Sequence, residues 1–233
     1  MKQSRNAEPL ANIAIFSALP LQALEAINRH CSWRRYEAGE SILAYLDQSD
    51  EVFFVAEGEV YVTIYSSTGK AVNFRNLGPG SIFGEYAAID GAARCASVEA
   101  RTPCLVASMG ARAFRKLLET EMAVSQALIR DLVKNIRTLT KRVYEFSTLA
   151  VNNRIQGELL RLASLAPKDG KGARVAPAPT HSEIASRVST HREAVTRELN
   201  RLVRIGIIER QDKALIIRDV ERLAAMLHEM TGE

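Results

Sequence analysis

Short runs of alternating apolar and polar residues fill the segment from about residue 33 to residue 108. In Val60–Tyr65 the aliphatic residues alternate with Tyr and Thr, which is the pattern of a strand with two different faces. Breaks rich in Gly, Ser and Pro separate the runs, as in the predicted hairpin turn at 67–70 and at 77–80. Many short strands with such breaks predict a barrel or sandwich, here preceded by short helices within residues 10–29.

A different pattern follows: between Gly110 and Gly157 the chain has neither Gly nor Pro. Within it, seven apolar residues follow one another at spacings of 3, 4, 3, 4, 3 and 4: Ile129, Leu132, Ile136, Leu139, Val143, Phe146 and Ala150. This heptad seam predicts a long central helix over 111–150 that packs against the same helix of a second copy. The alternative is a long helix that packs on its own domain.

The C-terminal third predicts a small helical domain over 151–233. Residues 151–166 have helical spacing, 167–172 form a loop, and 180–206 form two helices with a break at 189–191. Apolar residues at 207–208 and 215–217 flank a polar turn at 210–213, which predicts a hairpin. Asp219 is the predicted N-cap of a last helix that runs through His228.

Charge is unevenly distributed along the 233 residues, whose formal net charge is +4. Residues 171–218 contain ten Lys and Arg but only five Asp and Glu, which suits a phosphate-rich partner. The cysteines number three, an odd count that argues against a disulfide framework or a zinc site. No apolar run reaches the roughly 18 residues of a membrane helix, and the polar N-terminus lacks a signal core, so we expect a cytoplasmic protein without a membrane partner.

The segment 82–98 carries groups that suit a phosphate. Arg94 offers a planar fork for an anion, and Gly84 allows backbone amides to approach an oxygen closely. A carboxylate such as Glu85 accepts hydrogen bonds from sugar hydroxyls. The alternative from spacing alone is that Glu85 and Arg94 form a structural ion pair on a loop.

A second constellation lies in 180–199. Apolar residues there bury one side of each of two helices packed across a tight turn, as in a helix-turn-helix: Ile184, Ala185, Val188, Val195 and Leu199. The second helix then presents polar residues suited to base edges, namely His191, Arg192, Glu193, Thr196 and Arg197. Thr180, His181 and Ser182, at the start of the first helix, suit phosphate contacts. The alternative is a solvated, charged helix face.

Both segments resemble one known family. Residues 83–97 look like the phosphate-binding cassette of cyclic-nucleotide-binding domains, with the same Glu-to-Arg spacing of nine, and Arg192, Glu193 and Arg197 match the Arg-Glu-x-x-x-Arg of the cyclic AMP receptor protein family. The chain is therefore similar to the Crp/Fnr superfamily of transcription regulators, in its cyclic-nucleotide-binding branch. The resemblance implies an α+β fold with an N-terminal antiparallel β-roll of jelly-roll type (1–110), a central dimerisation helix (111–150) and a C-terminal winged helix-turn-helix (151–233).

The resemblance also implies roles for individual residues. Glu85 would bind the ribose 2′-hydroxyl and Arg94 the cyclic phosphate, assisted by the amides of Gly84, Glu85 and Cys95. Tyr86 replaces the usual Leu. Cys95 is expected to be a small buried filler rather than a redox sensor.

The base is read in this family by a Thr-Ser pair on the central helix, and Leu139 and Thr140 occupy those positions. Thr140 keeps a hydroxyl, whereas Leu139 has lost one. Cyclic AMP is the favoured ligand and cyclic GMP its competitor.

The predicted function is a cyclic-nucleotide-dependent regulator, a homodimer that binds palindromic double-stranded DNA with TGTGA-like half-sites and also contacts RNA polymerase. No catalytic motif, metal-ligand cluster or cofactor is expected, so an enzyme is disfavoured. One alternative is a regulator of the same superfamily that responds to a different small molecule; an iron–sulfur cluster usually requires four thiolates, one more than the chain has. Another alternative is a ligand-binding module without DNA function.

Overall fold

The computed structural model describes residues 8–65, 71–170 and 172–231. The chain divides into two compact units, with the boundary between Ile136 and Arg137. Within the described residues, no helix combines the length and the apolar character needed to cross a membrane.

The first unit confirms the predicted antiparallel β architecture. Two four-stranded sheets have the orders β1-β8-β3-β6 and β2-β7-β4-β5, and every strand pair in them is antiparallel. The strands are β1 (Cys31–Tyr36), β2 (Ser41–Leu43), β3 (Val52–Glu57), β4 (Val60–Tyr65), β5 (Ala71–Leu77), β6 (Ile82–Phe83), β7 (Ser97–Ala100) and β8 (Cys104–Met109). The predicted strand over Val60–Tyr65 is β4, while the predicted turn at 67–70 lies outside the described residues.

Helices cover one side of this unit. They are α1 (Glu8–Ala11), a 3-10 turn (Ala14–Phe16), α2 (Leu21–Asn28), α3 (Glu85–Asp90) and α4 (Ala111–Thr120). Phe54 of β3 is fully buried, and its ring centroid lies 5.0 Å from that of Phe16 and 6.4 Å from that of Phe114. Burial of these aromatic rings holds the N-terminal helices and α4 against the sheet.

The central segment is two helices and not the single helix predicted over 111–150. α4 ends at Thr120, Glu121 leaves helical geometry at φ −112° and ψ 87°, and α5 runs over Met122–Thr148. Phe114 and Leu117 are buried in the core, and the Ser125 hydroxyl donates to the Leu118 carbonyl across the bend. Core packing of α4 therefore ends one helix where the sequence, free of Gly and Pro, shows no break.

The second unit holds α6 (Val151–Leu165), β9 (Lys168–Asp169), β10 (Gly172–Val175), α7 (His181–Arg187), α8 (Arg192–Arg204), β11 (Ile208–Gln211), β12 (Ala214–Ile217) and α9 (Val220–Thr231). Its sheet has the order β11-β12-β10-β9. The hairpin β11–β12 and the last helix, whose Arg222 amide donates to the Asp219 carboxylate at 2.8 Å, confirm the prediction. The loop prediction for 167–172 was wrong, because Lys168 and Asp169 pair with β10.

A buried charge network fastens the helices of the second unit together. Arg161 of α6 donates to both carboxylate oxygens of Glu145 on α5, each at 3.0 Å. Buried Glu158 accepts from Arg161 at 2.9 Å and from Arg187 of α7 at 3.1 Å. Removing one member leaves a buried charge unpaired, which is costly, so the network favours one packing arrangement of α5, α6 and α7.

Candidate functional site

Arg94 is the centre of the first candidate site and is only 2% exposed. Its Nε donates to the Ser49 hydroxyl at 3.0 Å, Nη1 to the Gly84 carbonyl at 3.0 Å and Nη2 to the Glu51 carbonyl at 2.8 Å. Neutral acceptors thus fix the guanidinium plane while its positive charge is kept.

Gly84 is required by this arrangement. It adopts φ 79°, in the left-handed region, immediately before α3. A Cβ there would lie 2.9 Å from Arg94 Nη1 and 2.9 Å from the Glu51 carbonyl oxygen. Glycine therefore allows both the turn into α3 and the close approach of Arg94.

Glu85 is the first residue of α3 and is 5% exposed. Burial is the main cause that raises its pKa from 4.5 to about 7; the charge of Arg75 opposes this rise and that of Asp131 adds to it. The ion pair of Arg94 is formed with Glu51, at 3.7 Å, and not with Glu85 as the ion-pair alternative required. The groups Glu51, Ser49, Arg75 and Asp131 were missed in the sequence, where nothing in their spacing links them to the cassette.

Glu85 makes the stability of the free protein depend on pH. Its pKa in the folded chain, about 7, lies above the ordinary 4.5, so the unfolded chain binds fewer protons between these values. We expect the free energy of unfolding to fall as pH rises from about 4.5 to about 7, and this contribution to level off above pH 7. Urea unfolding across this range should show a shallower fall for Glu85→Gln, and equal slopes in both proteins would contradict the assignment.

Tyr86 and Cys95 flank the two charged residues. Tyr86 is 40% exposed. Cys95 is exposed, which corrects the expectation of a buried filler. Desolvation is nevertheless the largest cause that raises the pKa of its thiol, so the reactive thiolate is disfavoured at neutral pH and the redox alternative gains no support.

The loop between β2 and β3 holds the backbone of Arg94. The Leu46 amide donates to the Arg94 carbonyl at 2.9 Å, and the Arg94 amide donates to the Asp47 carbonyl at 2.9 Å. Leu46 adopts φ 67°, a left-handed conformation that is strained for a branched side chain, and its side chain is exposed. The two hydrogen bonds keep this strain in place beside the arginine.

Leu46→Gly should therefore stabilise the protein. Relief of the left-handed strain outweighs the larger backbone entropy of glycine in the unfolded chain, for a net gain of about 0.5–1 kcal/mol. Leu46→Ala is the matched control, since it keeps the Cβ that causes the strain. If urea unfolding shows that Leu46→Gly and Leu46→Ala are equally stable, the backbone of Leu46 is not strained.

Leu139 and Thr140 lie on α5, within the second unit, and both are exposed. Their proposed contact with a purine stays a prediction.

The second candidate site is the helix-turn-helix formed by α7 and α8. Thr180 caps α7 through a reciprocal pair of hydrogen bonds with Glu183. The Thr190 amide donates to the Ala185 carbonyl at 2.9 Å, and Ser189 adopts φ 51° in the turn between the helices. The five predicted apolar residues are all buried: Ile184, Ala185, Val188, Val195 and Leu199.

Most of the predicted DNA-binding side chains are exposed. Thr180 and Ser182 lie at the start of α7, and the others lie in the first half of α8 or at its N-cap: His191, Arg192, Glu193 and Arg197. This surface is solvent-accessible and carries a helix N-terminus with charges of both signs, which suits readout of base edges as well as contact with phosphate. The contact of each of these residues with DNA stays a prediction.

His181 and Thr196 make contacts within the domain. Arg210 of β11 lies 2.8 Å from His181 Nε2, and His181 Nδ1 lies 2.6 Å from the Thr196 hydroxyl. Because arginine only donates, Nε2 is the acceptor and Nδ1 carries the proton, which makes the imidazole neutral. Burial, followed by the charges of Arg210 and Arg192, lowers the pKa of His181 in agreement with this assignment. His181 thus joins α7, α8 and the hairpin.

Two segments of this chain match families of known proteins. Residues 33–121 match the cyclic nucleotide-binding domain family, and residues 153–226 match the Crp-like helix-turn-helix domain family. A CRP-like cAMP-activated global transcriptional regulator of Mycobacterium tuberculosis is 27% identical over 93% of this chain and 97% of its own. The cAMP-activated global transcriptional regulator Vfr of Pseudomonas aeruginosa is 27% identical over 88% of this chain and 98% of its own. This chain belongs to the Crp/Fnr superfamily of transcription regulators.

Solved structures agree with this membership in the Crp/Fnr superfamily. A transcriptional regulator of the CRP/FNR family from Thermus thermophilus has 27% identity and a TM-score of 0.66, and the match covers 85% of this chain and 100% of that one. The c-di-GMP responsive global regulator CLP of Xanthomonas campestris, 21% identical, shares the fold with a TM-score of 0.74 over 85% of this chain and 99% of that one. The protein is thus a Crp-family regulator with a cyclic-nucleotide-binding domain followed by a helix-turn-helix domain.

Proposed function

We propose that this protein is a cyclic-nucleotide-dependent, DNA-binding transcription regulator whose ligand is cyclic AMP, with cyclic GMP as the competing ligand. The observation that carries the proposal is the fixed, buried guanidinium of Arg94 beside buried Glu85 at the start of α3. These are the charged groups that a cyclic phosphodiester on a ribose needs.

The ligand groups follow from this pair. Among the contacts of the described residues, Arg94 donates once from Nε and once from each Nη, so two of its five N–H groups are left for a phosphate. Glu85 accepts a hydrogen bond from the 2′-hydroxyl. Thr140 supplies a hydroxyl to the base, and the loss of the second hydroxyl at Leu139 weakens adenine selectivity. The relatives named as cAMP-activated support cyclic AMP at 27% identity.

A different small-molecule signal is the second candidate. The charge of Arg75 acts on Glu85 and on Tyr86, so this site has a second cation that the usual cyclic AMP assignment does not use. A ligand with more phosphate, or with a guanine that an arginine pairs with bidentately, would use it. The c-di-GMP responsive CLP shares the fold and makes that dinucleotide worth testing.

DNA binding uses the start of α8. Arg192 and Arg197 pair with guanine edges and Glu193 with cytosine in TGTGA-like half-sites, while Thr180 and Ser182 contact phosphates. Two such helices read a palindrome when they lie about 34 Å apart. By resemblance, the bound dimer also contacts RNA polymerase. Ligand dependence requires that the nucleotide bind the DNA-competent state more tightly than the other state.

A homodimer is proposed through α5. Its heptad residues form an exposed apolar stripe that includes Ile129, Ile136, Leu139, Val143 and Phe146. A stripe with this spacing packs against an identical stripe, which removes it from water.

Val143→Glu should weaken the dimer by roughly tenfold or more, because two charges then face each other across the seam. Val143 is 64% exposed, so the substitution removes little packing within the chain. Tyr144→Glu is the control, since Tyr144 is 55% exposed but lies off the seam. Light scattering against concentration measures the effect; equal dissociation constants for the two variants would contradict the α5 seam.

Fluorescence anisotropy tests the function as a whole. A labelled palindrome with TGTGA half-sites is titrated with protein alone and with cyclic AMP, cyclic GMP or c-di-GMP. We expect tighter binding with cyclic AMP than without ligand. An equal affinity under all four conditions would overturn the nucleotide dependence, and a response to c-di-GMP alone would favour the second candidate.

A further inference from the structure

The loop before β3 surrounds the phosphate-binding arginine with negative charge. The Glu51 carboxylate lies 3.7 Å from Arg94 Nη2, and its side chain is 48% exposed. Burial lowers the pKa of Arg94, whereas the charges of Glu51, Asp47 and Asp50 raise it. Among these three carboxylates, Glu51 has the largest effect on the pKa. Three carboxylates therefore act on the guanidinium that is proposed to receive the phosphate.

The position of these charges is maintained by the backbone. The Glu51 carbonyl accepts from Arg94 Nη2 at 2.8 Å, and the Ser49 hydroxyl, which accepts from Arg94 Nε, donates to the Asp47 carboxylate at 2.8 Å. The backbone bonds of Leu46 and Asp47 with Arg94 add to this. The loop cannot leave Arg94 without breaking these contacts, so the backbone that carries the carboxylates stays beside the guanidinium.

Two consequences follow from Coulomb's law. The Nη2 group that pairs with Glu51 is one of those available to a phosphate, so the carboxylate and the ligand oppose each other at the same atom. The repulsion also grows with the charge of the ligand, and a phosphate monoester with two charges feels about twice the repulsion of a cyclic diester with one.

We propose that Glu51 is a specificity-determining residue that competes with the ligand's phosphate for Arg94, lowers the affinity for every phosphate ligand and selects the singly charged cyclic diester over the doubly charged monoester. This inference rests on the proposed function. Within that function, Glu51 is the residue that sets how much negative charge the site accepts. Because the Glu51 side chain is half-exposed, the effect is moderate and weakens as salt rises.

Isothermal titration of Glu51→Gln with cyclic AMP and with 5′-AMP tests the proposal. Gln keeps the side chain's length and the backbone carbonyl, so the hydrogen bond to Arg94 Nη2 remains. We expect cyclic AMP to bind about threefold to fivefold more tightly at low salt, and 5′-AMP to gain by roughly the square of that factor. Glu57→Gln is the matched control, because it removes the same charge from an exposed carboxylate that pairs with Arg35.

The outcomes separate this inference from the proposed function. If wild-type protein binds cyclic AMP and Glu51→Gln binds both nucleotides no more tightly than Glu57→Gln does, the competition is overturned and the function stands. A similar gain for both nucleotides overturns the charge selection. If neither wild type nor Glu51→Gln binds either nucleotide, both proposals fall, whereas binding by Glu51→Gln alone supports both.

Discussion

Arg94→Ala is expected to abolish the response to cyclic nucleotide, with a loss of at least about a hundredfold in affinity, because two charge-assisted hydrogen bonds to the phosphate disappear. The anisotropy of the labelled palindrome should then be the same with and without cyclic AMP. A normal rise in DNA affinity with nucleotide would show that Arg94 is not the phosphate ligand.

Loss of folding has to be separated from loss of binding in this variant. Arg94 donates to Ser49, to the Gly84 carbonyl and to the Glu51 carbonyl, so its removal leaves buried acceptors without a donor. Arg94→Lys keeps the positive charge and loses the planar fork. We expect it to fold with intermediate affinity, whereas an unfolded Arg94→Ala protein with a fully responsive Arg94→Lys would argue for a structural role alone.

Arg192→Ala is expected to remove most of the sequence specificity. Each lost bidentate pair with a guanine costs about 1–3 kcal/mol, and a dimer on a palindrome loses two, so specific affinity falls by roughly thirtyfold or more. The fold should be unaffected, since Arg192 is exposed at the start of α8. Binding to a scrambled duplex should weaken far less, because there the arginine contributes only its charge.

Arg204→Ala is the matched control for charge, because Arg204 is also exposed and lies in the last turn of α8. It should weaken specific and scrambled duplexes alike and reduce the salt dependence of binding slightly. If Arg192→Ala behaves in the same way as Arg204→Ala, then α8 does not read bases through its first turn.

Local patterns predicted the secondary structure well where apolar residues recur at a regular spacing. The alternation in Val60–Tyr65 identified β4, and the apolar spacing in 180–199 identified α7, α8 and the turn between them. The pattern failed at Glu121, because the end of α4 is decided by how Phe114 and Leu117 pack in the core rather than by a helix-breaking residue. It failed again at β9, where two residues become a strand only through pairing with β10.

By itself, the sequence determined the order of the domains, the two charged residues Glu85 and Arg94, and the polar start of the recognition helix, because these depend on neighbours within a few residues along the chain. Only the tertiary structure decided what surrounds them. Ser49 and Glu51 lie 45 and 43 positions from Arg94, and Arg75 and Asp131 act on Glu85 from a strand and a distant helix. Such groups are brought together by loop conformation and packing between distant elements, which no local periodicity encodes. The electrostatics of the site is therefore a property of the fold.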